Sequence, residues 1–162
     1  MSGSNTARAG LLLLASLCLP GSAAQAAGSP FAALAGSWSG GGILNTTDGG
    51  QEQLRCRASY NVGGTGTELR LSLRCASDSF NFDLASDVQY RGGVISGSWS
   101  EASRNASGSI SGRAAGSRIE ALARGDSFSA DLSLTTHGNR QTVSIRPQGT
   151  SITAVSLALD RR

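Results

Sequence analysis

Apolar residues recur at every second position in a series of short runs, "LRCRASY", "ELRLSLRC", "SFNFDL", "FSADLSL" and "TVSIR", each bounded by residues that form turns. Period-two alternation puts one set of side chains on each face of an extended chain, so each run reads as a strand with one buried face. A helix needs a repeat of about 3.6 residues and loses about 1 kcal/mol for each glycine in its interior. The chain has 22 glycines and three prolines. A disordered chain tolerates the same glycine and serine content, but it has no reason to alternate. The alternation predicts strands near 36–44, 52–61, 68–76, 79–86, 93–101, 108–114, 118–124, 128–135, 141–146 and 151–159.

Short strands in this number leave unpaired edges exposed unless the sheet curls on itself. Glycines in "SGGG", "RGGVISG" and "SGSISG" permit the bends that curling requires. The expected class is therefore all-β, a small antiparallel up-and-down β-barrel or strongly curved sheet of about 8–10 short strands. A β-sandwich uses the same alternation and is the alternative. Echoes of "GSWS" at Gly36 and Gly97, and of "DSFNFDL" at Asp78 in "DSFSADL" at Asp126, are 61 and 48 residues apart, too irregular for a solenoid.

The stretch "LRCRASYNVGGTGTELRLSLRCAS" writes nearly the same phrase on both sides of a glycine-rich turn. Folding at "VGGTG" brings Val62 to Leu69, Tyr60 to Leu71 and Cys56 to Cys75, with both cysteines on the apolar face. In an oxidising compartment they form a disulfide, and closing a loop of about twenty residues stabilises the fold by roughly 3 kcal/mol. The same register sets Arg57 opposite Arg74, with Arg55 and Arg70 on that outer face. Like charges opposed across a sheet repel unless an acid, solvent or a ligand intervenes, and Asp83 is the candidate acid. Arginine forks suit carboxylate or phosphate, so Arg55, Arg57, Arg70 and Arg74 are candidate anion or partner contacts.

The amino end has the pattern of an export signal: Arg8, an apolar run from Ala9 to Leu19, a Pro20-Gly21 break, and small residues ending near Ala26. The run is shorter than the roughly 20 apolar residues of a spanning helix. Leu17 before Cys18 disfavours a lipid anchor. Residues 1–26 are thus expected to be a signal peptide, 27–35 a short leader and 36–162 a single β-barrel-like domain, periplasmic or secreted. Without Arg8, thirteen arginines, no lysine and eleven acids leave a net side-chain charge of +2, too mild for nucleic acid. No integral membrane association is expected, since serine-rich strands with few aromatics do not fit a lipid-facing barrel wall.

Catalytic readings find little support. His137, the sole histidine, sits in "TTHGNR", where Gly138 and Asn139 suggest a hairpin turn. Asp78, Asp83, Asp126, Asp131, Glu101 and Glu120 would matter only if they converged. No nucleotide loop, zinc pattern or nucleophile elbow occurs, so no catalytic residue, metal or cofactor is assigned. Asn45-Thr46-Thr47 and Asn105-Ala106-Ser107 match glycosylation acceptors and are read as turn composition.

"LAGSWSGGGIL", Leu34 to Leu44, resembles the Gly-x-Trp opening strand of lipocalin-, avidin- and related (calycin-type) barrels over eleven of the 162 residues, and "ISGSWSE" resembles the Gly-x-Trp strands of avidin-like proteins. The resemblance implies a short barrel around a small ligand, with Trp38 near the closed end. The chain with "LRCRASY", "LRCASDSFNFDL" and "VSIRP" resembles an uncharacterised group of exported alphaproteobacterial proteins, which implies an envelope location and no activity. The expected function is a monomeric, exported, non-enzymatic binding protein for a small apolar or amphipathic ligand, with Trp38, Trp99, Phe80, Phe82 and Phe128 as candidate cavity residues. The alternative is an envelope structural, protein-interaction or inhibitor module that uses its arginine-rich outer face and holds no internal ligand.

Overall fold

The computed structural model describes residues 28–162, and the export segment read at residues 1–26 lies outside them. A 3₁₀ turn, Ala32–Leu34, precedes ten strands: β1 Gly36–Thr46, β2 Gln51–Val62, β3 Glu68–Ala76, β4 Asn81–Arg91, β5 Val94–Glu101, β6 Ala106–Ala115, β7 Arg118–Arg124, β8 Ser129–His137, β9 Arg140–Gln148 and β10 Ile152–Arg161. Each pairs antiparallel with its sequence neighbours, and β1 also pairs with β10, from Trp38 opposite Arg161 to Thr46 opposite Ile152. The sheet is therefore a closed up-and-down barrel without edge strands, and the β-sandwich alternative is ruled out by the unbroken ring.

Most predicted strands agree within about two residues at either end. Strand β4 differs more. It starts at Asn81 and continues to Arg91, with Phe80 in the preceding turn and Ser86, Val88 and Tyr90 extending the inward row. Ser86 and the outward Ala85 reverse the usual polarity contrast there, which masks the continuing alternation.

At several inward-phase glycines a neighbouring strand's backbone lies where a Cβ would be. A Cβ at Gly42 of β1 would fall 1.9 Å from the Ser156 carbonyl oxygen, and one at Gly108 of β6 would fall 1.7 Å from that of Arg124. No side chain fits either place, so glycine is what allows the two strands to approach this closely there. Strands β1 and β6 lie five places apart in both directions around the ring, which puts these two close approaches on opposite sides of the barrel.

The hairpin of β2 and β3 has the register read from its sequence: Cys56 opposite Cys75, Arg57 opposite Arg74, Tyr60 opposite Leu71 and Val62 opposite Leu69. Cys56 and Cys75 are joined as a disulfide with Cα atoms 4.1 Å apart. His137 ends β8, and the turn residues Gly138 and Asn139 lead into β9. No helix among the described residues is long and apolar enough to cross a membrane.

Candidate ligand lumen and its two ends

The ends of the barrel differ. At the end where β1 begins, the segment ahead of it folds into the barrel, and Phe31 and Leu34 are buried. Trp38 is 1% exposed beneath them, donates its indole N–H to the Leu34 carbonyl at 2.7 Å and meets the Tyr60 ring edge-on at 6.5 Å. Arg161, opposite Trp38 in the β1–β10 ladder, places its guanidinium 4.3 Å from the indole centroid and donates to the carbonyls of Ala33, at 2.6 Å, and Ala35. A cation over the indole face and two bonds to the turn lock this plug to the first and last strands.

A buried polar chain completes the floor. The Tyr60 hydroxyl donates to Gln141 Oε1 at 2.7 Å, and Gln141 Nε2 donates to Thr136 Oγ1 at 3.3 Å. Gln141 is fully buried and both ends of its amide are satisfied, as a buried amide requires. Burial raises the Tyr60 pKa far above the ordinary phenol value, so the ring stays neutral and serves as a donor.

The opposite end carries four of the five candidate aromatics, in two pairs. Phe80, in the β3–β4 turn, stacks on Phe82 of β4 with ring centroids 6.3 Å apart. Arg104, in the β5–β6 loop, lies 4.8 Å from the Phe82 centroid. Trp99 of β5 meets Phe128, from the β7–β8 loop, edge-on at 5.5 Å, and its indole N–H reaches the Arg124 carbonyl at 3.3 Å. Trp38 therefore stands apart from Trp99, Phe80, Phe82 and Phe128: it belongs to the plugged floor and they belong to the far rim.

Two rim carboxylates that sequence reading had not assigned hold the loops there. Glu101, 6% exposed, accepts from the backbone N–H groups of Asp83 at 2.8 Å, Ser103 at 3.2 Å and Arg104 at 2.9 Å, and from the Ser103 hydroxyl. Burial by itself would raise its pKa; the hydrogen bonds and the Arg104 guanidinium outweigh that and keep it below the ordinary glutamate value of 4.5. Glu52 performs the same task for the β3–β4 turn, accepting from the Ser77 hydroxyl at 2.6 Å and the Ser79 N–H at 3.1 Å, which lowers its pKa.

Because Glu101 has a depressed folded-state pKa, the stability it supplies is complete above the unfolded value of 4.5 and is lost as pH falls through the lower folded value. Glu101→Gln is expected to cost about 1–3 kcal/mol at neutral pH by urea unfolding, because three N–H donors lose a charged acceptor. The gap between wild type and variant should narrow as the pH is lowered below 4.5.

Between the ends, the inward wall is apolar. On β1, β2 and β10, Leu44, Leu54, Val155, Leu157 and Leu159 are buried. On the other side, mid-strand residues in the same inward phase, among them Leu73, Leu84, Ile110, Leu132, Leu134 and Ile145, are only partly buried. Of these, Leu73, Ile110, Leu134 and Ile145 pack against the buried core. Glycine and alanine take inward places on β6 and β7, at Gly108, Gly112, Ala121 and Ala123, leaving that side thin. By the ladder registers, the titratable side chains in the inward phase, Glu52, Tyr60, Tyr90, Glu101 and Arg161, all lie toward the two ends of their strands.

The candidate outer arginines are divided by the β3–β4 register. Arg70 faces Asp87 and pairs with it at 2.8 Å, and Arg74 faces Asp83 and pairs with it at 3.3 Å. Arg55 and Arg57 have no carboxylate within 4.0 Å among the described residues.

No family model and no curated protein matches the chain. Among solved structures it is similar to the S-type phycobiliprotein lyase CPES from Guillardia theta, with a TM-score of 0.61 and 10% sequence identity over 82% of this chain and 89% of that one. At that identity the likeness concerns the path of the backbone, so the shared property is the barrel fold.

Proposed function

We propose that this protein is an exported, non-enzymatic carrier that holds a neutral apolar molecule, or the apolar part of an amphipathic one, inside its barrel. One observation supports this reading above the rest: the ring of ten strands has an apolar inward wall whose β6 and β7 side carries only small residues at Gly108, Gly112, Ala121 and Ala123. Eight strands leave an interior just wide enough for side chains to fill or for one small ligand, and the diameter grows with strand number, so ten strands leave more room. The absence of charge in the middle of the inward wall favours a neutral guest, since an ion there would lose its hydration without a partner.

The relative from Guillardia theta is by name a lyase. A catalytic reading of this chain would need groups at mid-barrel able to move protons, and the titratable inward side chains stand instead at the rim and the floor. The export reading fits the disulfide, because such bonds persist in oxidising compartments.

Native and denaturing mass spectra of the full chain, purified from the envelope of its own host, test the carrier reading. A small-molecule mass present only in the native spectrum is expected, together with loss of the amino-terminal export segment. A mature chain found consistently empty from its native compartment would argue against a carrier.

A further inference from the structure

The outer wall of β1–β4 carries a cluster of arginines on the face that points away from the barrel interior. The ladder registers set Ser39, Arg57, Arg74 and Asp83 in one row across four strands. Arg74 is engaged by Asp83, so Arg57 faces a guanidinium across the sheet and has no acid of its own. Arg55, two residues along the same face, has Gly41 on one side and Ala76 on the other, neither of which offers a partner. Arg162 adds a third guanidinium beside this row, its Nε donating to the Ser39 hydroxyl.

These groups line a groove of about 1220 Å³ in which four arginines face one carboxylate side chain, Asp83. Opposed like charges on neighbouring strands are unfavourable, and a bound oxyanion between them reverses the sign of that interaction. Arg55 and Arg57 project about 7 Å apart along the strand, and Arg57 and Arg74 stand about 5 Å apart across it at their Cα atoms, so the array suits several linked oxyanions. The other outward side chains of the groove include the hydroxyls of Ser37, Ser39, Ser59 and Ser72. Protein interfaces centre on aromatic or aliphatic anchors, and this outward face supplies none. Serine hydroxyls flanked by guanidinium forks match instead a hydrated chain bearing both hydroxyl and acidic groups.

We propose that this groove binds an acidic polysaccharide, with Arg55 and Arg57 holding neighbouring carboxylate or sulfate groups and the serines meeting sugar hydroxyls. The test uses the full chain, with binding to immobilised polygalacturonate and dextran sulfate compared with binding to polyglutamate and to phosphatidylglycerol vesicles. Arg55→Ser with Arg57→Ser should weaken polysaccharide binding by more than about tenfold, since both forks are lost. Arg113→Ser with Arg118→Ser removes the same charge from the strands β6 and β7 and should change it by no more than about twofold. Arg55→Lys with Arg57→Lys retains the charge without the fork and should recover part of the binding. Equal loss in the two serine pairs would reduce the effect to net charge and overturn the site. So would absence of binding to both polysaccharides, or tighter binding to polyglutamate or vesicles. None of these variants touches the lumen, so failure here leaves the carrier reading standing.

Discussion

Alanine in place of Gly42 or Gly108 is expected to destabilise the protein by about 3 kcal/mol or more, as a backbone clash that no rotamer change can relieve. The added methyl would lie 1.9 Å from the Ser156 oxygen in the first case and 1.7 Å from the Arg124 oxygen in the second. To admit it, β1 must move from β10, or β6 from β7, and the ladder loses hydrogen bonds at that point. Gly64 is the control: a Cβ there meets nothing within 4 Å. Gly64→Ala should shift stability by less than about 0.5 kcal/mol. Urea unfolding followed by the fluorescence of Trp38 and Trp99 reports all three variants. Comparable midpoints for Gly42→Ala, Gly108→Ala and Gly64→Ala would mean that the wall does not depend on these close approaches.

Removing the disulfide is expected to have an effect of similar size. Cys56 and Cys75, 19 positions apart, constrain the unfolded chain, and replacing both with alanine should cost about 3 kcal/mol in the chain-entropy description. For a domain of this size that corresponds to a fall of about 10 °C in Tm. Wild type unfolded with a reductant present should approach the variant, while the variant should not respond to the reductant. A double variant as stable as the oxidised wild type would show that the ladders from β1 to β4 already hold this wall without the bond.

The local fold was legible where alternation was clean and turns were marked. Strands β3 and β7 match the runs from Glu68 to Ala76 and from Arg118 to Arg124 because apolar and polar residues alternate without interruption between turn-forming neighbours. The cysteine register was legible because both thiols have the phase of the apolar face and stand equally far from the turn. Closure was harder to read. The β1–β10 pairing joins Trp38 to Arg161 across most of the chain, and a long-range ladder leaves no local mark in either strand.

The candidate site was legible in phase but not in height along the barrel. Alternation turns Trp38 and Trp99 inward, yet strand direction sends one to the plugged floor and the other to the far rim. The same phase turns Glu101 inward two residues after Trp99, Gln141 inward two residues before Val143, and Arg161 inward two residues after Leu159. A polar residue in that phase reads as the end of a strand until its partners are known. Here the partners are loop N–H groups, the Tyr60 hydroxyl and the Trp38 ring, all contributed by distant parts of the chain. The division of the arginines follows the same rule, since Asp83 and Asp87 take Arg74 and Arg70 only through the β3–β4 register.

The lumen can be tested by titrating the full chain with N-phenyl-1-naphthylamine, a neutral dye that fluoresces in apolar surroundings, and repeating the titration with Ala121→Phe. Ala121 lies on the thin side of the wall, between Gly112 and Leu132 in the ladders. A phenyl ring there would occupy space that the carrier reading assigns to the ligand. Saturable binding of one dye per barrel is predicted for wild type, weakened more than about tenfold in the variant, with the unfolding midpoint little changed because the ring enters unfilled volume. Unchanged dye binding by Ala121→Phe would contradict an internal ligand site. A variant that unfolds because the ring finds no room would contradict the lumen itself.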